Sequence, residues 1–202
     1  MKNNLLEFVR NSKENAGIYY LNDIPVWTED PLPDSIDLRQ VLLDVAKRLP
    51  NIYLKYIQAV LYVSNMQDSN TDMLDDIIHE VAHAVEDHNH DLIYEDERIL
   101  LEFLGKRKRL YELLKSEGYD VTIEQFLTTT YDYDFDMLLF QDIGYPILET
   151  LTLGLFLSPY SVTSINEYFA VGFENFYMDE TNYVKKICPI LLEKIFYLDE
   201  LT

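Results

Sequence analysis

Two histidines one helical turn apart, His79 and His83, constrain this chain more than any other feature of its sequence. Around them, apolar residues recur at the spacing of an amphipathic helix, which predicts a helix from about Asn70 to Asp87. The apolar residues expected to face the protein interior are Ile77, Ile78, Val81 and Val85. Residues four apart on a helix lie on the same face, so both imidazoles can reach one metal ion.

Glu80 follows the first of these histidines and completes the pattern HExxH. Two imidazoles on one helix face are typical zinc ligands, and a carboxylate beside them can take a proton from a zinc-bound water. The pattern therefore predicts a Zn²⁺ cofactor, with Glu80 as the general base. The alternative is a surface helix that carries two histidines by chance.

A catalytic zinc ion needs a third protein ligand, and two sequence schemes can provide one. In the first, a glycine and a third histidine follow the motif, but this chain has Glu86 and Asn89 at those positions. His88 and His90 are near misses at the helix end, where exposed or capping roles are favoured. The second scheme takes a glutamate from a later helix, and we predict Glu167, in the segment NEYFA, as the third ligand.

Two blocks of the sequence, HEVAHAVED and PYSVTSINEYFAVGFENFY, resemble the protease domain of the anthrax lethal factor family, which includes the clostridial Pro-Pro endopeptidases. These are zinc endopeptidases of the gluzincin type. The resemblance implies that the Tyr160 hydroxyl donates to the oxyanion of the tetrahedral intermediate, and that Glu86 orients a ligand imidazole. The alternatives are an ordinary loop tyrosine after Pro159 and a plain surface acid.

The matching blocks cover about a quarter of the chain. About eighty residues separate His83 from Glu167, which is longer than the family pattern. Val171 stands where relatives often carry a second acid, and Ala82 replaces the usual glycine of the motif. Substrate preference is therefore not carried over from the family.

The predicted fold is α+β and mainly helical: a single zincin-like domain over residues 1–202, with a small twisted sheet in its N-terminal half. A helical insertion is predicted over about 91–150, beginning with a long amphipathic helix from Leu92 to Lys115. Strands are predicted at 18–20, 24–27 and 57–63. Further predicted helices lie at 1–16 (as a short polar helix or loose segment), 36–49 (capped by Asp34 or Ser35), 122–127, 146–156, 165–177 and 186–198.

Charge narrows the range of partners. The chain has 36 acidic and 16 basic residues, a formal charge of −20. A field of that sign repels phosphate backbones and anionic lipid surfaces, so nucleic acid is not expected as a partner, whereas a peptide or protein substrate with basic segments is favoured. No apolar stretch is long enough for a membrane span. The run KRKR at 106–109 predicts a solvated helix face.

The lone Cys188 excludes an intramolecular disulfide and a thiolate zinc site, and it is expected to be a buried apolar residue. The N-terminal residues lack the apolar stretch of a signal peptide. The expected location is the cytoplasm, or outside the cell without a classical signal peptide, virion association included. The sequence does not indicate an oligomeric state.

Together these features predict a zinc-dependent endopeptidase that hydrolyses peptide bonds through a metal-activated water. One alternative is a catalytically silent zincin-like module that serves as a structural or binding component of a virion or toxin assembly. Another is a latent protease whose cleft is covered by the helical insertion.

Overall fold

Short segments rich in β-branched and aromatic residues form a small sheet near the N-terminal end. The computed structural model describes residues 19–28, 32–57, 60–62 and 69–201. The sheet consists, in order, of β1 (Tyr19–Leu21), β2 (Ile24–Thr28) and β3 (Val60–Tyr62). β1 and β2 are antiparallel, whereas β2 and β3 are parallel, with Val26 opposite Val60.

Two of the three predicted strands agree with the structure to within one residue. The third strand is shorter than predicted, because Ile57 lies outside β3 and follows a short helix. Ala59 and Val63 lie outside the described residues, as do residues 1–16 and the helix or loose segment predicted there.

The first long helix, α1 (Leu38–Arg48), begins later than the sequence suggested. Its N-cap is Asp37, whose side chain accepts a hydrogen bond from the backbone N–H of Gln40 at 3.1 Å, so the predicted caps Asp34 and Ser35 are wrong. The backbone N–H of Asp37 donates to Asn70 Oδ1 at 2.7 Å, which links the start of α1 to the start of a later helix. A short helix, α2 (Asn51–Leu54), follows Pro50.

That later helix is α3 (Asn70–His88), and it confirms the helix predicted around the two histidines. The four apolar residues expected to face the interior are at most 3% exposed: Ile77, Ile78, Val81 and Val85. The chain divides into two compact units, residues 1–84 and 85–202, and the boundary falls within the continuous α3.

The second unit is helical throughout its regular structure. After α3 come α4 (His90–Tyr94), α5 (Arg98–Ser116), α6 (Ile123–Leu127), α7 (Tyr133–Met137), a π-helix (Leu138–Ile143), α8 (Tyr145–Thr152), a 3₁₀ turn (Tyr160–Val162), α9 (Ile165–Tyr177), α10 (Thr181–Ile187) and α11 (Pro189–Glu200). Its core includes a cluster of aromatic rings, in which Phe103 packs against both Phe156 and Tyr168, with ring centroids 6.3 and 5.3 Å apart. Among the described residues, no helix has the length and apolarity to cross a bilayer.

Two predicted helices are each divided in the structure. The helix predicted from Leu92 to Lys115 is interrupted before α5 by Glu97, whose φ of 58° lies in the left-handed region. The last predicted helix is divided at Cys188, because the next residue, Pro189, begins α11 at a position where its missing N–H costs nothing. Cys188 itself is buried, as predicted.

The prediction of a solvated face for the KRKR run is wrong for two of its four residues. Arg107 is 1% exposed, donates to the backbone carbonyls of Thr128 and Gln125, and lies 4.2 Å from the ring centroid of Phe135. Lys106 donates to the carbonyls of Leu155 (2.7 Å) and Ile187 (2.5 Å). Lys108 and Arg109 are exposed. Successive helix residues differ by about 100° in direction, so a four-residue run cannot occupy one face.

The mainly helical architecture with a small sheet agrees with the coarse fold class. The zincin-like assignment, the single domain over residues 1–202 and the insertion over about 91–150 stay predictions.

Candidate metal centre

The helix α3 presents its two histidines side by side. The imidazoles of His79 and His83 have ring centroids 5.0 Å apart and planes inclined at 79°. Both side chains are half-buried, while apolar neighbours on the same helix anchor it in the core. This is the arrangement expected from a four-residue spacing on a helix.

The third predicted ligand, Glu167, lies with this pair. One ligand atom each from His79, His83 and Glu167 can be chosen such that all three lie within 4.8 Å of one another. Zinc–ligand bonds of about 2.0–2.2 Å in a tetrahedron hold neighbouring ligand atoms roughly 3.4 Å apart. Side-chain torsions can close that difference, and two imidazoles with one carboxylate are a donor set that catalytic zinc prefers. The residues therefore fit zinc.

Two further predicted residues, Glu80 and Tyr160, differ in their surroundings, and their catalytic roles stay predictions. Glu80 is exposed on α3, directly after the first histidine, so its carboxylate is accessible to water and to a bound peptide. Tyr160, in the 3₁₀ turn, is 41% exposed and hydrogen-bonds to Glu167. Burial of the ring, the negative charge of Glu167 and this hydrogen bond raise the pKa of Tyr160 to about 12, so the hydroxyl keeps its proton near neutral pH.

Hydrogen bonds hold the first residues of α9, among which the predicted third ligand lies. Ser164 is the N-cap, and its hydroxyl accepts a hydrogen bond from the backbone N–H of Glu167 at 3.1 Å. The backbone N–H of Ile165 donates to the carbonyl of Thr129 at 2.8 Å. Thr129 directly follows Thr128, whose carbonyl accepts from the buried Arg107. Arg107 thus supports the segment against which α9 begins.

Glu86 joins the end of α3 to the start of α9. It is 2% exposed, and its Oε1 accepts hydrogen bonds from Asn166 Nδ2 at 2.8 Å and from the hydroxyl of Tyr94. The predicted alternative of a plain surface acid is wrong, because this carboxylate is buried and doubly bonded. Its predicted action on a ligand imidazole stays a prediction.

His88 and His90 are both exposed, in agreement with the solvent-facing roles favoured for them. The ring of His90 lies 5.0 Å from that of Tyr94, between centroids.

Sequence reasoning missed three of the residues that hold this centre: Tyr94, Ser164 and Asn166. One of them had a signal, because a serine three residues before a glutamate is typical of a helix N-terminus. No sequence signal indicates that Tyr94 and Asn166 bond to Glu86, because these residues come together only through the packing of α3, α4 and α9.

An aromatic and acidic surface lies near Tyr160. We call it the 131–145 surface and define it by Tyr131, Tyr133, Asp136, Phe140 and Tyr145. The hydroxyl of Tyr131 donates to Asp136 Oδ2 at 2.8 Å, and the rings of Phe140 and Tyr145 lie 5.5 Å apart. The charge of Asp136 is close enough to Tyr160 to contribute to its raised pKa, after burial and Glu167.

Comparisons with known proteins find no match for this chain, whether with protein-family models, curated proteins or solved structures. The resemblance to the lethal factor family therefore rests on the two sequence blocks, and the family assignment stays a prediction.

Proposed function

We propose that this protein is a zinc-dependent endopeptidase. One observation carries the proposal: a carboxylate oxygen of Glu167 and one ring nitrogen from each histidine of an HExxH helix lie within 4.8 Å of one another, although about eighty residues separate them in sequence. A helix that held two histidines by chance would not require this convergence. In this proposal His79, His83 and Glu167 hold the metal.

When bound, zinc lowers the pKa of a water molecule and polarises the carbonyl of the peptide bond to be cleaved. Glu80 accepts a proton from the attacking water and passes it to the nitrogen of the leaving amine as the C–N bond breaks. The Tyr160 hydroxyl donates a hydrogen bond to the oxygen that becomes negatively charged in the transition state. Its raised pKa supports this role, since the donor must be protonated.

The proposed substrate is a peptide or protein segment that carries basic side chains. The formal charge of −20 and the negative charge of Asp136, whose field reaches Tyr160, support this class. Exposed tyrosine rings next to a carboxylate can hold a lysine or arginine side chain through charge and through contact of the cation with the ring face.

The test compares the native chain with Glu80→Gln. We expect about one bound zinc ion in both proteins, measured by metal analysis after removal of excess zinc. Cleavage of a diverse synthetic peptide library, followed by mass spectrometry, should fall by about 10²–10⁴-fold in Glu80→Gln, because the general base is lost. Glu112→Gln, the same change at an exposed position of α5, serves as control and should cleave like the native chain.

Zinc binding without cleavage by the native chain would overturn the peptidase proposal in favour of a binding or structural module. Absence of zinc in both proteins would overturn the metal centre itself.

A further inference from the structure

We propose that Asn166 is a positioning residue for the zinc ligand Glu167, and that it acts through the buried carboxylate of Glu86. This inference rests on the proposed zinc centre and extends it, because it assigns a role to residues outside the ligand set. In this role, Asn166 fixes the position of α9 relative to α3, the two helices that carry the proposed ligands.

Glu86 is a buried hydrogen-bond acceptor. A carboxylate that is 2% exposed loses most of its hydration and must be satisfied by protein donors. Here a single oxygen, Oε1, accepts from Asn166 Nδ2 at 2.8 Å and from the hydroxyl of Tyr94. Hydrogen bonds to a charged acceptor are stronger and more directional than neutral ones, so this group fixes the relative positions of three elements: α3, α4 and α9.

The donor Asn166 and the acceptor Glu86 lie close in sequence to the proposed ligands. Glu86 lies three residues after His83 on α3, and Asn166 directly precedes Glu167 on α9. The bond between them therefore joins the two ligand-bearing helices within one turn of their ligands. The backbone N–H groups of Ile165 and Glu167 are held by Thr129 and Ser164, and the side chain of Asn166, which is not one of the proposed ligands, bonds to α3.

The position of a ligand carboxylate is sensitive to rotation of the helix that carries it. With Cα atoms about 2.3 Å from the helix axis, a rotation of α9 by roughly 20° moves a Cα by about 0.8 Å and a carboxylate by more. Functional constellations tolerate about 0.5 Å. Loss of the Asn166 bond allows rotations of this size, whereas the N-cap alone fixes only where the helix begins. Zinc affinity should therefore depend on Asn166.

The experiment measures zinc affinity by competition with a chromophoric chelator, together with the visible absorption spectrum of the Co²⁺-substituted protein and its thermal stability without metal. Asn166→Ala should weaken zinc binding by about 10- to 100-fold and shift the cobalt spectrum, because the coordination geometry changes. Asn166→Ser, which keeps a shorter donor, should lie between Asn166→Ala and the native chain. If Asn166→Ala does not fold, Asn166→Ser decides by the same readouts.

Asn175→Ala is the matched control. Asn175 lies on the same helix, and its Nδ2 donates at 2.8 Å to the carbonyl of Val171, so the same type of part-buried bond is lost far from the ligand. We expect a comparable loss of thermal stability with unchanged zinc affinity and an unchanged cobalt spectrum.

Two results would overturn the inference, and they are distinguishable. If the native chain binds zinc and Asn166→Ala binds it within about twofold, Asn166 has a structural role only and the proposed function stands. If the native chain binds no zinc, the proposed function and this inference fail together.

Discussion

The hydroxyl of Tyr160 lies beside the carboxylate of Glu167, on a side chain that remains 41% exposed. A tyrosine that served only the core would be buried, and one that served only the surface would not hydrogen-bond to a ligand carboxylate. Because the side chain is partly exposed and its hydroxyl bonds to Glu167, we propose that the hydroxyl can reach a substrate carbonyl held at the metal. This placement supports a role in the transition state rather than in binding of the metal.

Tyr160→Phe separates these roles. Removing one oxyanion donor typically lowers kcat by about 10²–10³-fold, so we expect a loss of that size with KM and zinc content nearly unchanged. The readouts are steady-state cleavage of a peptide found in the library and metal analysis. Tyr197→Phe, on an exposed ring of α11, is the control and should behave like the native chain. Zinc loss that parallels the loss of activity would instead assign Tyr160 to holding Glu167.

Among the helices, α3 and α9 were predicted almost to the residue because each has a strong apolar period and a clear start. The break before α5 was missed because Glu97 adopts the left-handed conformation without the glycine or asparagine that usually signals it. The extent of β3 depends on parallel pairing with β2, which is non-local and leaves little trace in a short segment.

For the candidate site, the proximity of His79, His83 and Glu167 was predictable because motif and spacing indicate it, while their role as metal ligands stays a prediction. The buried role of Arg107 was not predictable from KRKR, since the charge run alone does not indicate which residues face the core. The same holds for Asn166, whose partner lies 80 residues away.

A substitution at Gly172 tests how closely α9 packs against α11. A Cβ built on Gly172 would lie 1.9 Å from Cδ2 and 3.1 Å from Cγ of Leu191, a fully buried residue of α11. Overpacking lowers the free energy of unfolding by about 1–3 kcal/mol, while the better helix propensity of alanine raises it by up to about 1 kcal/mol. We therefore expect Gly172→Ala to lower the free energy of unfolding by about 1–2 kcal/mol in urea denaturation.

Gly105→Ala is the matched control for this prediction, because a Cβ at Gly105 on α5 meets nothing within 4 Å. At this position only the helix propensity changes, so we expect Gly105→Ala to raise the free energy of unfolding by about 0.5–1 kcal/mol. Equal effects of the two substitutions would show that α9 and α11 are not in close contact at Gly172.

Across the whole molecule, acidic residues outnumber basic ones by 36 to 16, and some of the basic residues are engaged within the protein. Of the 16 basic residues, several are occupied internally: Lys106 and Arg107 as described, and Lys194, which is 9% exposed and binds the carbonyl of Leu92 and the carboxylate of Asp96. Cations engaged in this way contribute less to the field that a substrate meets. The surface potential should therefore be strongly negative and attract cationic peptides over distances of about a Debye length.

Salt tests the field of the whole molecule, and a charge substitution tests the part of it at Asp136. We expect kcat/KM for a lysine- or arginine-containing peptide to fall about three- to tenfold between low and high salt, because screening weakens steering. For the same peptide with norleucine in place of the basic residue, kcat/KM should change by less than about twofold.

Asp136→Asn should reduce the preference for the basic peptide by about threefold, the scale of a partly exposed charge pair. Asp134→Asn removes an equal charge at an exposed position of α7 and should retain that preference. Equal losses in the two variants would place the preference in the overall charge and not at Asp136, and an absence of salt dependence would contradict the basic-substrate proposal.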